Sequence, residues 1–206
     1  MTKTKSTYLA LIAVLLSPMA ANADIITLSG PSASNVDTAA PSLVSFTTAA
    51  GGSITDLDLA IDYDAACCGY DVTVILSHVD TGSSAVLWWD SLIVGGGGAG
   101  GPDTFGDVFD VIFDDEAATA FANIGNNNFP VPPGSYQAAD PLSVFDGEML
   151  AGTWQLSIQN TGCCANEGDD LLAWELSVTR VPEPGTLALL GIGLFGMGLS
   201  RRRKKI

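Results

Sequence analysis

From Asp56 to Asp64 the chain alternates with a period of two: Leu57, Leu59, Ile61 and Tyr63 fall on one set of positions, Asp56, Asp58, Asp62 and Asp64 on the other. In an extended strand these sets face opposite sides, one towards a core and one towards water, whereas a helix would scatter both around its circumference. The same alternation runs from Thr153 to Gln159, with Trp154, Leu156 and Ile158 inward, and from Ala173 to Thr179, with Trp174, Leu176 and Val178 inward. Val72 to Leu76 and Val86 to Trp89 are more continuously apolar, the pattern of strands near the centre of a sandwich. Phe109 to Phe113 and Ser42 to Thr47 bring the set to about seven strands, and only Asp114 to Phe121 offers a helical turn or two. The expectation is an all-β chain, a jelly-roll-type antiparallel β-sandwich. The glycine run from Gly95 to Pro102 and the segment from Asn126 to Gly134, with its three prolines, read as loops.

The two ends follow other rules. Lys3 and Lys5 precede an apolar stretch from Tyr8 to Leu16, broken by Pro18 ahead of Ala21-Asn22-Ala23. That order is a signal peptide over residues 1–23, cut by signal peptidase so that the mature chain starts at Asp24. At the other end, Val181-Pro182-Glu183-Pro184-Gly185 leads into an apolar run and then Arg201-Arg202-Arg203-Lys204-Lys205. The rigid proline element stands off a domain, the apolar run enters a bilayer, and the basic cluster stays cytoplasmic. Leu187 to Leu199 is 13 residues with four glycines inside it, too short and too weak a helix for a comfortable permanent span.

Residues 181–206 resemble the PEP-CTERM tail of exported bacterial proteins, with Val181, Pro182, Glu183 and Pro184 as the sorting motif and the five terminal bases as the stop cluster. The resemblance implies recognition and processing by an exosortase in the inner membrane, and transient membrane insertion through the tail. It further implies a mature protein outside the cell or at its surface, in bacteria that build exopolysaccharide.

Between Asp24 and Glu183 stand all 23 carboxylates and one base, Arg180, a formal charge of −22. Such a field excludes nucleic acid and anionic membrane surfaces as direct partners and favours cations, salt or a cationic polymer. The stretch is long enough for one domain with a true core, placed at residues 24–180.

Asp71-Val72-Thr73-Val74-Ile75-Leu76-Ser77-His78 resembles a strand of the P domain (Homo B), the β-sandwich that follows the catalytic domain of proprotein convertases. Phe113 to Ala117, Leu142 to Glu148, Gly152 to Ile158 and Leu172 to Leu176 are similar to further segments of its bacterial relatives, in the same order. The resemblance spans roughly Ile54 to Thr179. The usual protease domain is missing, so the module's role of stabilising a catalytic neighbour does not carry over.

Nothing in the residues points to catalysis. His78 is the only histidine, and a triad cannot be built from its sequence neighbours Ser77 and Asp80 within one strand end; a surface or strand-end histidine is the plainer reading. There is no G-x-S-x-G, H-E-x-x-H or phosphate loop. Carboxylates abound, but none is singled out as a glycosidase acid or base. The expectation is a non-catalytic protein.

Four cysteines come as two adjacent pairs, Cys67-Cys68 and Cys163-Cys164, each ahead of acidic residues and a core strand. In an exported chain this favours two disulfides joining the pairs, with exact partners open. Vicinal rings and a zinc site are the alternatives, the latter disfavoured because the usual C-x₂-C spacing is missing. For metal, two readings stay open: calcium held by Asp114, Asp115 and Glu116 with Asp146 and Glu148, or acids that only solvate a highly charged surface. A second acidic set is Glu167, Asp169 and Asp170, facing Asp71 and Asp64. The combined reading is an exported structural or adhesive protein of an exopolysaccharide matrix, its alternative a calcium-dependent carbohydrate-binding module.

Overall fold

The computed structural model describes residues 22–65, 72–88, 107–123, 131–160 and 168–182. Ten strands carry it: β1 (Asp24–Gly30), β2 (Ala33–Ser34), β3 (Ser42–Thr48), β4 (Ser53–Ala65), β5 (Val72–His78), β6 (Ser83–Trp88), β7 (Asp107–Phe113), β8 (Gly134–Tyr136), β9 (Gly152–Asn160) and β10 (Asp170–Val181). Six form one sheet in the order β1-β10-β4-β7-β8, with β2 also on β10; the other four form a second sheet, β3-β9-β5-β6. The chain is an all-β sandwich, and among the described residues the only helical elements are short 3₁₀ turns at Phe121–Asn123 and Leu142–Phe145.

Alternation sorts side chains as the sequence implies. Leu57, Leu59, Ile61 and Tyr63 of β4 are buried, as are Trp154, Leu156 and Ile158 of β9 and Trp174, Leu176 and Val178 of β10. Together with Val72, Val74 and Leu76 of β5 and Leu87 and Trp88 of β6, they close one core between the sheets. Trp88 lies at its aromatic centre, edge-on to Tyr63 at 6.2 Å and stacked on Phe113 at 5.8 Å. Gly30 permits the approach of β1 to this core: a Cβ there would lie 2.0 Å from the Trp174 ring.

Several expectations change. There are ten strands among the described residues rather than about seven, because β1, β2 and β8 are short or weakly patterned and draw their stability from neighbours. One pairing, β7 with β8, is parallel, so the six-stranded sheet is not wholly antiparallel. The apolar run at β6 is an edge strand, not a central one. Its outer rim is instead covered by the chain at Ala139 and Asp140, whose N–H groups donate to Leu87 and Val86 while the Asp140 carboxylate accepts from the Val86 N–H. Asp114 to Phe121 forms a tight turn, closed by the Ala117 N–H on the Asp114 carbonyl, and not a helix. Gly95 to Pro102 and the first part of the Asn126–Gly134 loop lie outside the described residues.

Candidate functional site

The stretch Asp24–Arg180 forms one unit, and its two ends are neighbours. Antiparallel pairing of β1 with β10 sets Asp24 opposite Arg180. Arg180 Nε and Nη2 donate to the two Asp24 carboxylate oxygens at 3.1 and 3.2 Å, and Nη1 donates to the Gly51 carbonyl. A guanidinium supplies this fork-on-fork geometry, which an ammonium cannot. The one Lys or Arg of the described residues thereby joins the expected mature N-terminus to the residue just before the Pro182 element. Val181 and Pro182 are described; Glu183, Pro184 and the cluster Arg201, Arg202, Arg203, Lys204 and Lys205 lie outside the described residues.

His78 ends β5, the strand-end position that the sequence allowed, but it is fully buried rather than at the surface. Its ring stacks on Trp154 at 4.4 Å and 6°. Nδ1 lies 3.1 Å from Glu148 Oε2, an oxygen that also accepts from the Thr81 hydroxyl at 2.8 Å, while Ser83 donates to Glu148 Oε1. Burial pushes the Glu148 carboxyl up, but hydrogen bonds from Ser83, His78 and Thr81 and the charge of His78 outweigh it and hold it below its ordinary value. Gly152, at φ +149°, makes room for this ring, since a Cβ there would stand 2.3 Å from His78 Nε2. Asp80 ties the same end by accepting from the Thr153 N–H at 2.6 Å. The cluster braces β5, β6 and β9 around the Glu148 loop, and it separates Glu148 from the acids with which the sequence grouped it.

Those other acids do share one region. Asp58 is raised to about 6, first by burial and then by Asp56, Asp114, Glu116 and Asp115. Asp146 is raised by burial and then by Asp56 and Asp115. Asp115, however, is engaged: its two oxygens accept from the N–H groups of Leu142 and Ser143 at 2.9 and 2.8 Å, capping the 3₁₀ turn. Asp114 accepts from the Glu116 N–H at 2.7 Å in a turn of its own. Among the described residues, no three His, Cys, Asp or Glu side chains converge in a metal-holding group. Of the expected set, Asp114, Asp115, Glu116 and Asp146 thus share a field in which Asp114 and Asp115 already accept backbone N–H groups, while Glu148 is turned to His78, Thr81 and Ser83.

A second acidic group was legible in part: the sequence grouped Asp169 with Asp170, but not Asp37 with them. Asp37 and Asp169 are both buried; the Tyr63 hydroxyl donates to Asp169 at 2.7 Å, and the Gly168 N–H donates to Asp37 at 3.2 Å. Burial, then Asp169, pushes the Tyr63 hydroxyl well above its ordinary value. Asp170 accepts from the Asn35 N–H at 2.9 Å, with Asn35 in the left-handed region at φ 55°. Nothing in the sequence around Asp37 signals this role, because its partners are more than a hundred residues away. Glu167 and Asp71 of the sequence-based grouping lie outside the described residues, as do Cys67, Cys68, Cys163 and Cys164.

Comparison with known proteins bears on the end of the chain. The PEP-CTERM protein-sorting motif matches residues 180–204, beginning at the Arg180 that clamps Asp24. The motif indicates an exported protein that an exosortase processes, with a membrane-anchored C-terminal sorting tail. No curated protein matches the chain. Among solved structures, the chain is similar to the Aeromonas sobria serine protease in complex with its chaperone, at 12% identity and a TM-score of 0.43 over 84% of this chain and 29% of that one. It is similar to the same species' serine protease alone at 13% identity and a TM-score of 0.42, over 82% and 29%. The chain thus spans under a third of the length of either protein.

Proposed function

We propose that this chain is a non-catalytic structural or adhesive protein of an extracellular polysaccharide matrix, a P-domain-like sandwich of jelly-roll type delivered by its sorting tail. The observation that carries the reading is the direct joint between an acidic β-sandwich and the sorting motif at Arg180–Val181. A single sandwich follows a signal peptide over residues 1–23 and precedes a tail over residues 181–206. Signal peptidase and an exosortase act on its two ends, and extracellular polysaccharide is its partner in place. Two disulfides between the Cys67-Cys68 and Cys163-Cys164 pairs would brace it outside the cell.

The test is the intact, non-reduced mass of the protein recovered from outside producing cells, followed by its partition with purified exopolysaccharide. Under this reading the chain starts at Asp24, ends near Pro184, lacks four hydrogens and sediments with the polymer. A chain that keeps its basic tail and stays in membranes, or that ignores the polymer, overturns it.

The shared field of Asp56, Asp58, Asp114, Glu116 and Asp146 supports a second reading, a calcium-dependent carbohydrate-binding module. Polymer binding abolished by a chelator would favour it over the first.

A further inference from the structure

The two sheets divide the charge unequally. Strands β3, β5, β6 and β9 contain no Asp, Glu, Lys or Arg, although the chain carries 23 acids. Every Asp, Glu and Arg of the described strands lies on the other sheet. The outer face of the four-stranded sheet can be followed by register: Leu43 pairs Ser157, Ser157 pairs Ile75, and Ile75 pairs Val86, a continuous row across all four strands. The adjoining row begins Ser45–Gln155 and is entirely hydroxyl and carboxamide. Leu43 is 61% exposed and Val79, just past β5, is 51% exposed.

We propose that this uncharged face is a self-association surface, on which a second copy of the chain docks sheet against sheet. Charge selects the occupant. Two copies, each carrying a formal −22 between Asp24 and Glu183, repel wherever carboxylates meet, and the strands of this face carry none, with Asp140 at the β6 rim and Asp80 beyond Val79 lying at its margins. Aliphatic and hydroxyl side chains standing off a β-sheet are the chemistry that packs one sheet on another at about 10 Å. A sugar polymer would ask for exposed rings, but Trp88 and Trp154 of this sheet both point into the core, at 1% and 0% exposure. Four strands about 4.8 Å apart and about seven residues long offer roughly 450 Å² of projected face per copy, at the low end for a specific contact, so the association is weak and concentration-dependent. The inference deepens the structural reading above and rests on it for its setting, since a matrix protein that pairs with itself cross-links what it holds.

The experiment is sedimentation equilibrium of the exported chain, purified from producing cells, from about 10 µM to about 1 mM protein and from low to high salt. A reversible dimer is expected, strengthened by added salt, because salt screens the repulsion between copies and no charge pair crosses the contact. Leu43→Glu and Ser84→Glu should each weaken it by about tenfold or more, while Thr27→Glu on the acidic sheet leaves it unchanged. Both face positions are exposed, so far-ultraviolet circular dichroism checks that each variant keeps its fold. A chain that stays monomeric throughout overturns the proposal. So does a dimer indifferent to the two face variants, or a monomer whose face instead binds a neutral glucan and loses that binding in Leu43→Glu. Polymer retention is measured separately on the same variants, so the failure of self-association and the failure of the matrix reading are distinguishable.

Discussion

Asp62 and Asp110 stand directly opposite each other across the β4–β7 ladder, two carboxylates of like charge in a cross-strand pair. Burial first, then Asp110 and Asp64, raise the Asp62 carboxyl above its ordinary value. Replacing either residue with asparagine removes the repulsion and keeps the shape. Asp62→Asn or Asp110→Asn should therefore stabilise the fold at neutral pH by a few tenths of a kcal/mol up to about 1 kcal/mol, read as a higher urea midpoint at unchanged slope.

The same face makes stability rise on mild acidification. Asp58 is raised from 3.8 to about 6, so in that window the folded chain holds a proton that the unfolded chain releases. Stability is then greatest below the window and falls as pH rises through it. Glu148 acts oppositely: its carboxyl is held below 4.5, so its contribution is present above that value and disappears as pH falls through the folded pKa. Thermal unfolding should thus show a maximum near about pH 4, where the Glu148 contribution is largely in place and the Asp58 contribution only begins to fall, and Asp58→Asn should flatten the decline on the alkaline side. A melting temperature that rises steadily from about pH 5 to about pH 8 would contradict this account.

Glu148 is the acceptor for three side chains at the His78 end. Glu148→Ala removes the acceptor shared by His78 Nδ1 and the Thr81 and Ser83 hydroxyls, of which Thr81 keeps the His78 carbonyl at 3.2 Å, and should cost about 1–3 kcal/mol in chemical denaturation. Glu148→Gln retains an acceptor oxygen and should cost less. Gly152→Ala should be worse tolerated than an alanine at Gly51, where a Cβ meets nothing within 4 Å.

Processing should depend on the tail and not on the sandwich. Replacing Arg201, Arg202, Arg203, Lys204 and Lys205 with glutamine removes the cytoplasmic stop, and the chain should lose sorting while its domain still folds. Cell fractionation with intact mass reads both outcomes. Arg180→Ala, by contrast, should change stability by at most about 1 kcal/mol, since the Asp24 pair is partly exposed.

Calcium separates the two functional readings. With Asp115 and Glu148 already occupied by hydrogen bonds, the expected thermal response is shallow and follows ionic strength, matched by magnesium or by sodium at equal ionic strength. A steep, saturating rise specific to calcium would instead mark a built site and favour the glycan-binding module.

How much of this was legible depended on distance along the chain. The facing of β4, β9 and β10 could be read residue by residue, because a period of two is a property of one strand and needs no partner. So could the sorting tail, whose proline element, apolar run and basic cluster are contiguous. Strands β1, β2 and β8 could not, since they are short or weakly patterned and their neighbours supply the pairing. The expected calcium set rested on composition: sequence brought Glu148 beside Asp146, and the fold then turned it towards His78.

Sequence by itself determined that the chain is an exported, all-β, strongly acidic protein with a sorting motif, because these follow from local pattern and total charge. Tertiary structure alone decided that Asp24 meets Arg180, that His78 is buried against Trp154, and that β3, β5, β6 and β9, strands without Asp, Glu, Lys or Arg, form one sheet. Alternation states which face a side chain occupies, but neighbours across a ladder are chosen by pairing between segments up to 156 residues apart, and no local rule encodes that choice.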